Sequence, residues 1–322
     1  MMRDLRLWLV IVVVLAATWC LLLAQSGIGL ADIMTSWWPA AVTMVGGAFI
    51  SGASAEGGGA VAYPVFTLLL KIPPDAARNF SFMIQSVGMV SASALIIGRR
   101  IPIDGRVVVF PAIGGMVGLL VGTYTIVPLM EPVVTKLFFV SAWLAFGIGL
   151  WRLNRDPNRT VVDRLPDVLT RSDVSQLIIT GLVGGLITSV VGNGIDIFTF
   201  CVVTLRYGLS EKVATPSSVV LMSILTLCGS ALHGAVMADI GLIETQAWLA
   251  AAPVVLFMAP FGAWVASKLH RLHIALLLQA IIVVQFLGAL YVLRPSIELL
   301  LFCVGVVAIG VMTIIRIDRS SR

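Results

Sequence analysis

Charge is what this 322-residue chain has least of. Lys, Arg, Asp and Glu make up 11% of it, against roughly 25% in soluble domains, and 59% is hydrophobic. That shortage excludes a water-soluble globular fold, and a mean hydropathy of +1.05 makes lipid the solvent that suits the chain. The net charge of +5 does not signal a nucleic-acid partner. The Lys and Arg sit in short loops between long apolar runs, where they read as topology signals. Cysteine is scarce too. Cys20, Cys201, Cys228 and Cys303 all lie in apolar stretches, with no C-x-x-C pair or His/Cys cluster. No metal site, cofactor or disulfide framework is therefore expected, and each reads as a small buried hydrophobe. The chain also lacks a Walker A sequence, which speaks against a nucleotide-driven pump. It lacks H-E-x-x-H and a nucleophile–base arrangement, which speaks against an intramembrane enzyme.

What the chain has is long apolar runs. A spanning helix needs about 20 apolar residues. Such runs occur near 7–24, 38–70, 79–98, 106–128, 133–151, 174–206, 214–235, 246–267, 273–293 and 297–315. Arg3 and Arg6 before the first run resemble the start of a signal peptide. The run is long for one and Leu22-Leu23-Ala24 is a weak cleavage site, so a retained first helix is expected. Segments 38–70 and 174–206 are too long for one straight crossing, since at ~1.5 Å per residue each reaches roughly 50 Å.

Basic residues set the sidedness. Arg99, Arg100 and Arg106 share one loop; Arg152, Arg155, Arg159, Arg164 and Arg171 share the longest polar stretch; Lys268 and Arg271 mark a third loop, and Arg316, Arg319 and Arg322 the tail. The positive-inside rule places all of these in the cytoplasm, with both termini. Stretches 25–37 and 235–246 have no Lys or Arg but carry Asp32, Asp239 and Glu244, and read as outside. Segment 38–70 must then enter and return from the outside, and 174–206 from the inside. Arms of about 12 to 15 residues, roughly 20 Å of helix, pass the middle of a ~30 Å core without spanning it.

The expected fold is an all-α polytopic membrane protein of two inverted repeats, each a re-entrant broken-helix hairpin plus three transmembrane helices, with one extra helix at each end. The units are 1–36 (first helix and outer loop), 37–152 (first repeat), 153–173 (cytoplasmic linker), 174–294 (second repeat) and 295–322 (last helix and tail). Inverted repeats with discontinuous helices are a recurring plan of secondary transporters. Trp8, Trp37, Trp38, Trp151 and Trp248 fall near predicted boundaries, where an aromatic belt belongs. His233, His270 and His273 fall at helix ends and read as interfacial anchors.

The two breaks read S-G-A-S-A-E-G-G-G, from Ser51 to Gly59, and T-S-V-V-G-N-G-I-D, from Thr188 to Asp196. Non-helical backbone at membrane depth survives only buried in protein or lining a cavity. The freed amides of Gly57, Gly58, Gly59, Gly192, Asn193 and Gly194 are expected to face that cavity, and half-helices starting near Ala60 and Ile195 to present positive ends suited to an anion. Ser54 lies in the first break. The bland alternative is that the glycines only allow tight helix packing.

At these residues the chain resembles the sulfite exporter TauE/SafE family, whose members carry a G-G-G-x-x-x-x-P element followed by Ala-x-x-Thr/Ser in each half. The first copy is Gly57-Gly58-Gly59 with Pro64, then Ala77 and Ser81. The second is Gly192-Asn193-Gly194, then Ala214-Thr215-Pro216-Ser217-Ser218, with Cys201 where the proline would fall. Ala77 and Ala214 lie 137 residues apart, as do Ser81 and Ser218. The resemblance covers roughly 40–310. It implies a permease for sulfur-containing anions such as sulfite, sulfoacetate or other organosulfonates.

Glu56 and Asp196 sit in the breaks, and charged side chains at membrane depth are costly and usually functional. Three roles stand open: proton coupling to anion movement, capping of the following half-helix, and cation coordination. Arg78, Asn79 and Gln85 follow the first hairpin. Arg78 either binds substrate oxygens or snorkels to the interface. Asn79, Ser81, Gln85, Thr215, Ser217 and Ser218 either donate to substrate or bond neighbouring helices. The expected function is proton-coupled secondary transport of a small anion by alternating access. The expected setting is a lipid bilayer, in a bacterial inner membrane. An anion channel using the same breaks as a filter is the alternative.

Overall fold

The computed structural model describes residues 6–55, 57–154, 161–268 and 271–319. Glu56, Arg3, Arg155, Arg159, His270 and Arg322 lie outside the described residues. Within them all regular elements are helical, and strand-like pairing is limited to an isolated bridge between Val162 and Leu209. In chain order the helices are α1 (Arg6–Ser26), α2 (Leu30–Ala53), α3 (Gly59–Pro64, continued as a π-turn Val65–Leu69), α4 (Pro74–Gly98), α5 (Gly105–Thr125) and α6 (Pro132–Asn154). There follow α7 (Arg171–Val191), α8 (Ile195–Arg206), α9 (Glu211–Ala231, continued as a π-turn Leu232–Val236), α10 (Leu242–Ala266), α11 (Arg271–Leu293) and α12 (Ile297–Arg319). Nine of the described helices are long and apolar enough to cross a membrane.

The breaks fall where glycine predicts them, and the order of elements repeats. From Pro74, where α4 opens, to Glu211, where α9 opens, is 137 residues; from Gly105 of α5 to Leu242 of α10 is again 137. The second arms are short: α8 has 12 residues, and α3 with its π-turn covers Gly59–Leu69. The first arms are not. α2 has 24 residues and α7 has 21; at ~1.5 Å per residue they run about 36 and 32 Å. The stretch 25–37, read as an outer loop, has no breaker after Gly29, so α2 starts at Leu30 and only kinks at Trp37, ahead of Pro39. α7 starts at Arg171 because Thr170 and Asp173 form a reciprocal capping box.

Each long arm lies along a full-length helix. Trp37 Nε1 donates to Gln246 Oε1 at 3.0 Å at one end of the α2–α10 contact. At the other end a methyl on Gly52 would fall 1.8 Å from the Ala259 carbonyl oxygen. Along α5 and α7 the backbones touch in the same way: a methyl on Gly118 would fall 2.1 Å from Leu182 O, and one on Gly185 2.2 Å from Gly115 O. Small residues permit this approach where lipid supplies no hydrophobic drive between helices. α4 and α9 pack on each other, α4 also on α10 and α9 on α5. In α4, 78% of the span is buried, against 0% in α1 and 11% in α12, so α4 is the central post and α1 and α12 are peripheral.

Several tryptophans expected in an interfacial belt turn inward. Trp8 Nε1 donates to Ser91 Oγ, and Trp248, buried, donates to Met83 O. With Trp19, which donates to Leu249 O, Trp8 ties α1 to the bundle.

At the end of the bundle holding the α4–α5 loop, the linker is sewn down. The buried Asp104 carboxylate accepts from the Arg106 amide and guanidinium and from the Leu165 amide. Asp104 N donates to Ser217 Oγ, and Arg106 Nη1 donates to Pro166 O. Burial pushes the Asp104 carboxyl up, but the donors from Arg106 and Leu165 outweigh it and hold it below the ordinary carboxylate range.

Candidate functional site

Backbone geometry makes the two tips. Gly57 (φ +65) turns the chain from α2 toward α3, and Gly192 (φ +76) and Gly194 (φ +138) turn it from α7 into α8. Residues with a Cβ resist these angles. The Gly192 amide, expected to face an anion, instead donates to Thr188 O at 2.7 Å. Thr188 Oγ1 accepts from Ile195 N at 2.9 Å and starts α8.

The tips meet at the central post. A methyl placed on Gly57 would lie 2.6 Å from Asn193 Oδ1, 2.7 Å from Gln85 Oε1 and 2.8 Å from Asp196 Oδ2. One on Gly59 would lie 3.0 Å from Asn193 Cβ and 3.3 Å from Gln85 Nε2. Gln85 is twelfth of the 25 residues of α4, so the meeting point is halfway along that helix. Gln85 Nε2 donates to Ser81 O at 3.1 Å and to Gly192 O at 2.9 Å, which fixes the amide with Oε1 turned to the cluster. Asp196 Oδ1 accepts from Ile197 N at 2.9 Å. Gln85, Asn193 and Asp196 are all buried. Gln85 Oε1 and Asp196 Oδ2 have no hydrogen-bond donor among the described residues.

Other buried polar atoms without partners among the described residues are Tyr63 Oη on α3, Ser81 Oγ on α4, Trp143 Nε1 on α6 and Thr199 Oγ1 on α8, with further ones elsewhere in the bundle, as at Ser93, Thr123 and Ser230. Tyr63, Phe139 and Trp143 form an aromatic wall with successive centroids 4.8 and 4.2 Å apart. Each orphaned polar atom costs roughly 1–3 kcal/mol when dry. A buried polar atom without a partner marks a place where a ligand or water can belong.

A cleft of about 240 Å³ lies between the start of α4, the α5–α6 connection and the end of α7, lined by Pro74, Asp75, Arg78, Met130, Thr135 and Val190. Val190 is two residues from Gly192. Arg78 is buried rather than snorkelling and lies 3.7 Å from Asp239. Its guanidinium donates to Asn79 Oδ1, and Asn79 Nδ2 donates to Asp239 O. His233, read as an interfacial anchor, is fully buried, 3.0 Å from both Asp239 carboxylate oxygens and stacked on Phe82.

The remaining expected site residues scatter. Ser54 is buried beside the first tip and donates to Ile50 O. Gly58 faces Met44 and Ser51. Thr215 is half-buried near the start of α9, and Ser218 donates to Ala214 O. Ser217 belongs to the Asp104 clamp. Glu56 lies outside the described residues. Sequence reasoning missed Tyr63, Trp143, Thr199 and the His233–Asp239 pair. Only Asp239, an acid in a loop without Lys or Arg, carried a signal.

Long apolar helices, two of them paired with shorter ones across glycine turns, with buried polar groups where the turns meet, define a multi-pass membrane protein. The family model described as Sulfite exporter TauE/SafE matches residues 40–291. The chain belongs to this family of membrane transporters for sulfite and other small anions. Curated proteins and solved structures give no match.

Proposed function

We propose that this protein is a secondary transporter that moves a small sulfur-containing anion, sulfite or an organosulfonate such as sulfoacetate, by alternating access across a bacterial inner membrane. The observation that carries this reading is the convergence of both broken-helix tips on Gln85, at the middle of the central helix. Alternating access at that point requires the hairpins to rearrange so that it opens to each face in turn. The equal spacing of α4–α9 and α5–α10, and the matching partnerships α2–α10 and α7–α5, support two repeats of opposite orientation. Both termini then lie in the cytoplasm. The anion enters by the cleft past Arg78 and rests near the tip residues Gly57, Gly58, Gly59, Gly192, Asn193 and Gly194. The start of α8 adds partial positive charge. Asn79, Gln85, Thr215, Ser218 and Ser54 shape its path, and Glu56, with Asp196 second, couples its movement to protons.

Uptake of sulfite, sulfoacetate, taurine and other sulfonates into proteoliposomes, with and without a pH gradient, tests this. Saturable uptake that a gradient accelerates supports a coupled transporter. Linear, uncoupled flux assigns the breaks to a channel, and no flux of any such anion removes the substrate class.

A further inference from the structure

Arg78 belongs to two places at once. It lines the cleft, and it is the cation of a charge cluster with Asp239 and His233, neither of which lines that cleft. Its Nη2 lies 3.7 Å from Asp239 Oδ2, too long for a hydrogen bond. Its hydrogen bonds run from Nε and Nη2 to Asn79 Oδ1, so Nη1 donates to nothing among the described residues. Asp239 is 35% exposed, and an ion pair of that length and exposure is weak and open to competition. The same carboxylate keeps both its oxygens 3.0 Å from His233 Nδ1. His233 Nε2 is buried without a partner among the described residues and is the open position for a second proton. Backbone contacts hold the pair in place: Asp239 N donates to His233 O, and Asn79 Nδ2 to Asp239 O. His233 also stands on the π-turn Leu232–Val236, an irregularity frequent at functional positions.

We infer that the His233–Asp239 pair takes up one proton when an anion docks on Arg78, so that anion and proton bind together at the end of the bundle opposite the Asp104 clamp. The inference rests on the reading of Arg78 as the residue an entering anion meets. Without an anion, Arg78 and Asp239 balance each other beside a neutral imidazole. An anion on Arg78 takes the place of Asp239 and leaves the cluster negative, and uncompensated charge among buried groups is costly. One proton on the pair offsets that charge, and Asp239 then faces an imidazolium instead of Arg78. The other charged groups nearby do not offset it. Asp75 on α4 and Glu244, buried on the first turn of α10, are acids within Coulombic reach of Arg78. Tyr63 on α3 is uncharged, and Lys136 is turned to Thr67 O. α9 carries no charged residue beyond Lys212. The pair titrates as one unit, so the charge balance is the same whether Nε2 or the carboxylate carries the proton. His233 and Asp239 are positioning residues that act through Arg78, separate from Glu56 and Asp196 at the tips.

The test is titration calorimetry on purified full-length protein in detergent, with sulfoacetate, whose charge is constant from about pH 6 to about pH 8. Repeating it in buffers of different ionisation enthalpy counts the protons taken up. Wild type is expected to take up roughly 0.3–1 proton per anion near neutral pH. By reciprocity it should bind the anion at least about fivefold more tightly at pH 6 than at pH 8. His233→Gln keeps an N–H for Asp239 and should bind with no proton uptake and a flat pH profile. Asp239→Asn frees Arg78 of its competitor, so it should bind more tightly at pH 8 and also lose the uptake. Glu56→Gln combined with Asp196→Asn should keep it. A merely structural pair would change affinity or thermal midpoint in these variants and leave the proton count unaltered. Uptake that persists in His233→Gln and Asp239→Asn but vanishes in the tip double variant overturns the inference and gives the proton to the tips. Wild-type binding with no proton uptake and no pH dependence overturns it without any variant, and leaves the anion reading standing. Absence of binding by sulfoacetate and by sulfite removes the anion reading and this inference together.

Discussion

Gln85 Nε2 donates to the Gly192 carbonyl oxygen at 2.9 Å and so ties the middle of α4 to the tip between α7 and α8. One side chain of the first half thereby holds the break of the second. It is also the atom group that presents Oε1 to Asn193 and Asp196 across Gly57. A single amide therefore both fixes a tip and joins the polar cluster where the tips meet.

Replacing Gln85 by Leu keeps the bulk and removes both roles. The Gly192 carbonyl is left without its donor in a buried place, which costs roughly 1–3 kcal/mol. Anion uptake in proteoliposomes should fall at least about tenfold, and the thermal midpoint should drop by a few degrees. Uptake within about twofold of wild type would mean that the tips do not need this tie.

Gly57 is constrained twice over. Its φ of +65 disfavours any Cβ, and that Cβ would sit among three oxygens closer than van der Waals contact. Gly57→Ala should abolish uptake while the protein still inserts and purifies. Gly46→Ala, where an added methyl meets nothing within 4 Å, should leave uptake unchanged. Parity of the two variants in a transport assay would sink the assignment of the first tip.

Much of this was legible in the chain. Glycine clusters placed both breaks, and the 137-residue offset of Ala77 and Ala214 matches the spacing of α4 and α9 and of α5 and α10. Gln85, Asn193 and Asp196 were all picked out as site residues. Three things were not legible. The length of α2 depends on packing along α10, which an apolar count from 38 onward does not register. The meeting of Gly57 with Asn193, 136 residues away, depends on how two hairpins pass each other. His233 looked like an interfacial residue because it ends a helix, and only the fold brings Asp239 and Phe82 around it.

The α5–α7 crossing should be, with α2–α10, among the least forgiving contacts in the bundle. A methyl on Gly118 would fall 2.1 Å from Leu182 O, and backbone cannot step aside as a side chain would. Gly118→Ala should cost about 1–3 kcal/mol by overpacking. The expected readouts are a lower thermal midpoint and reduced yield of folded protein. A midpoint equal to wild type would show that the two backbones lie farther apart than described.

The Asp104 clamp makes a pH-dependent contribution whose sign follows from its environment. Its carboxyl is held below the ordinary range by Arg106 and Leu165 against the opposing pull of burial. The folded state therefore binds the proton less readily than the unfolded chain, whose value is about 3.9. The stabilisation is complete above that value and is lost as pH falls through the lower folded value. Asp104→Asn should lower the thermal midpoint at pH 7, where the wild-type carboxylate accepts from the Arg106 guanidinium and the Leu165 amide. The gap between wild type and variant should narrow as the pH drops below 4, because the wild type then loses the same charge. Because the clamp joins the linker to the α4–α5 loop and, through Ser217, to α9, the variant should also expose the linker peptide near Leu165 to faster hydrogen exchange. A gap that stays constant from pH 7 to pH 3 would mean that the clamp holds by shape rather than by charge.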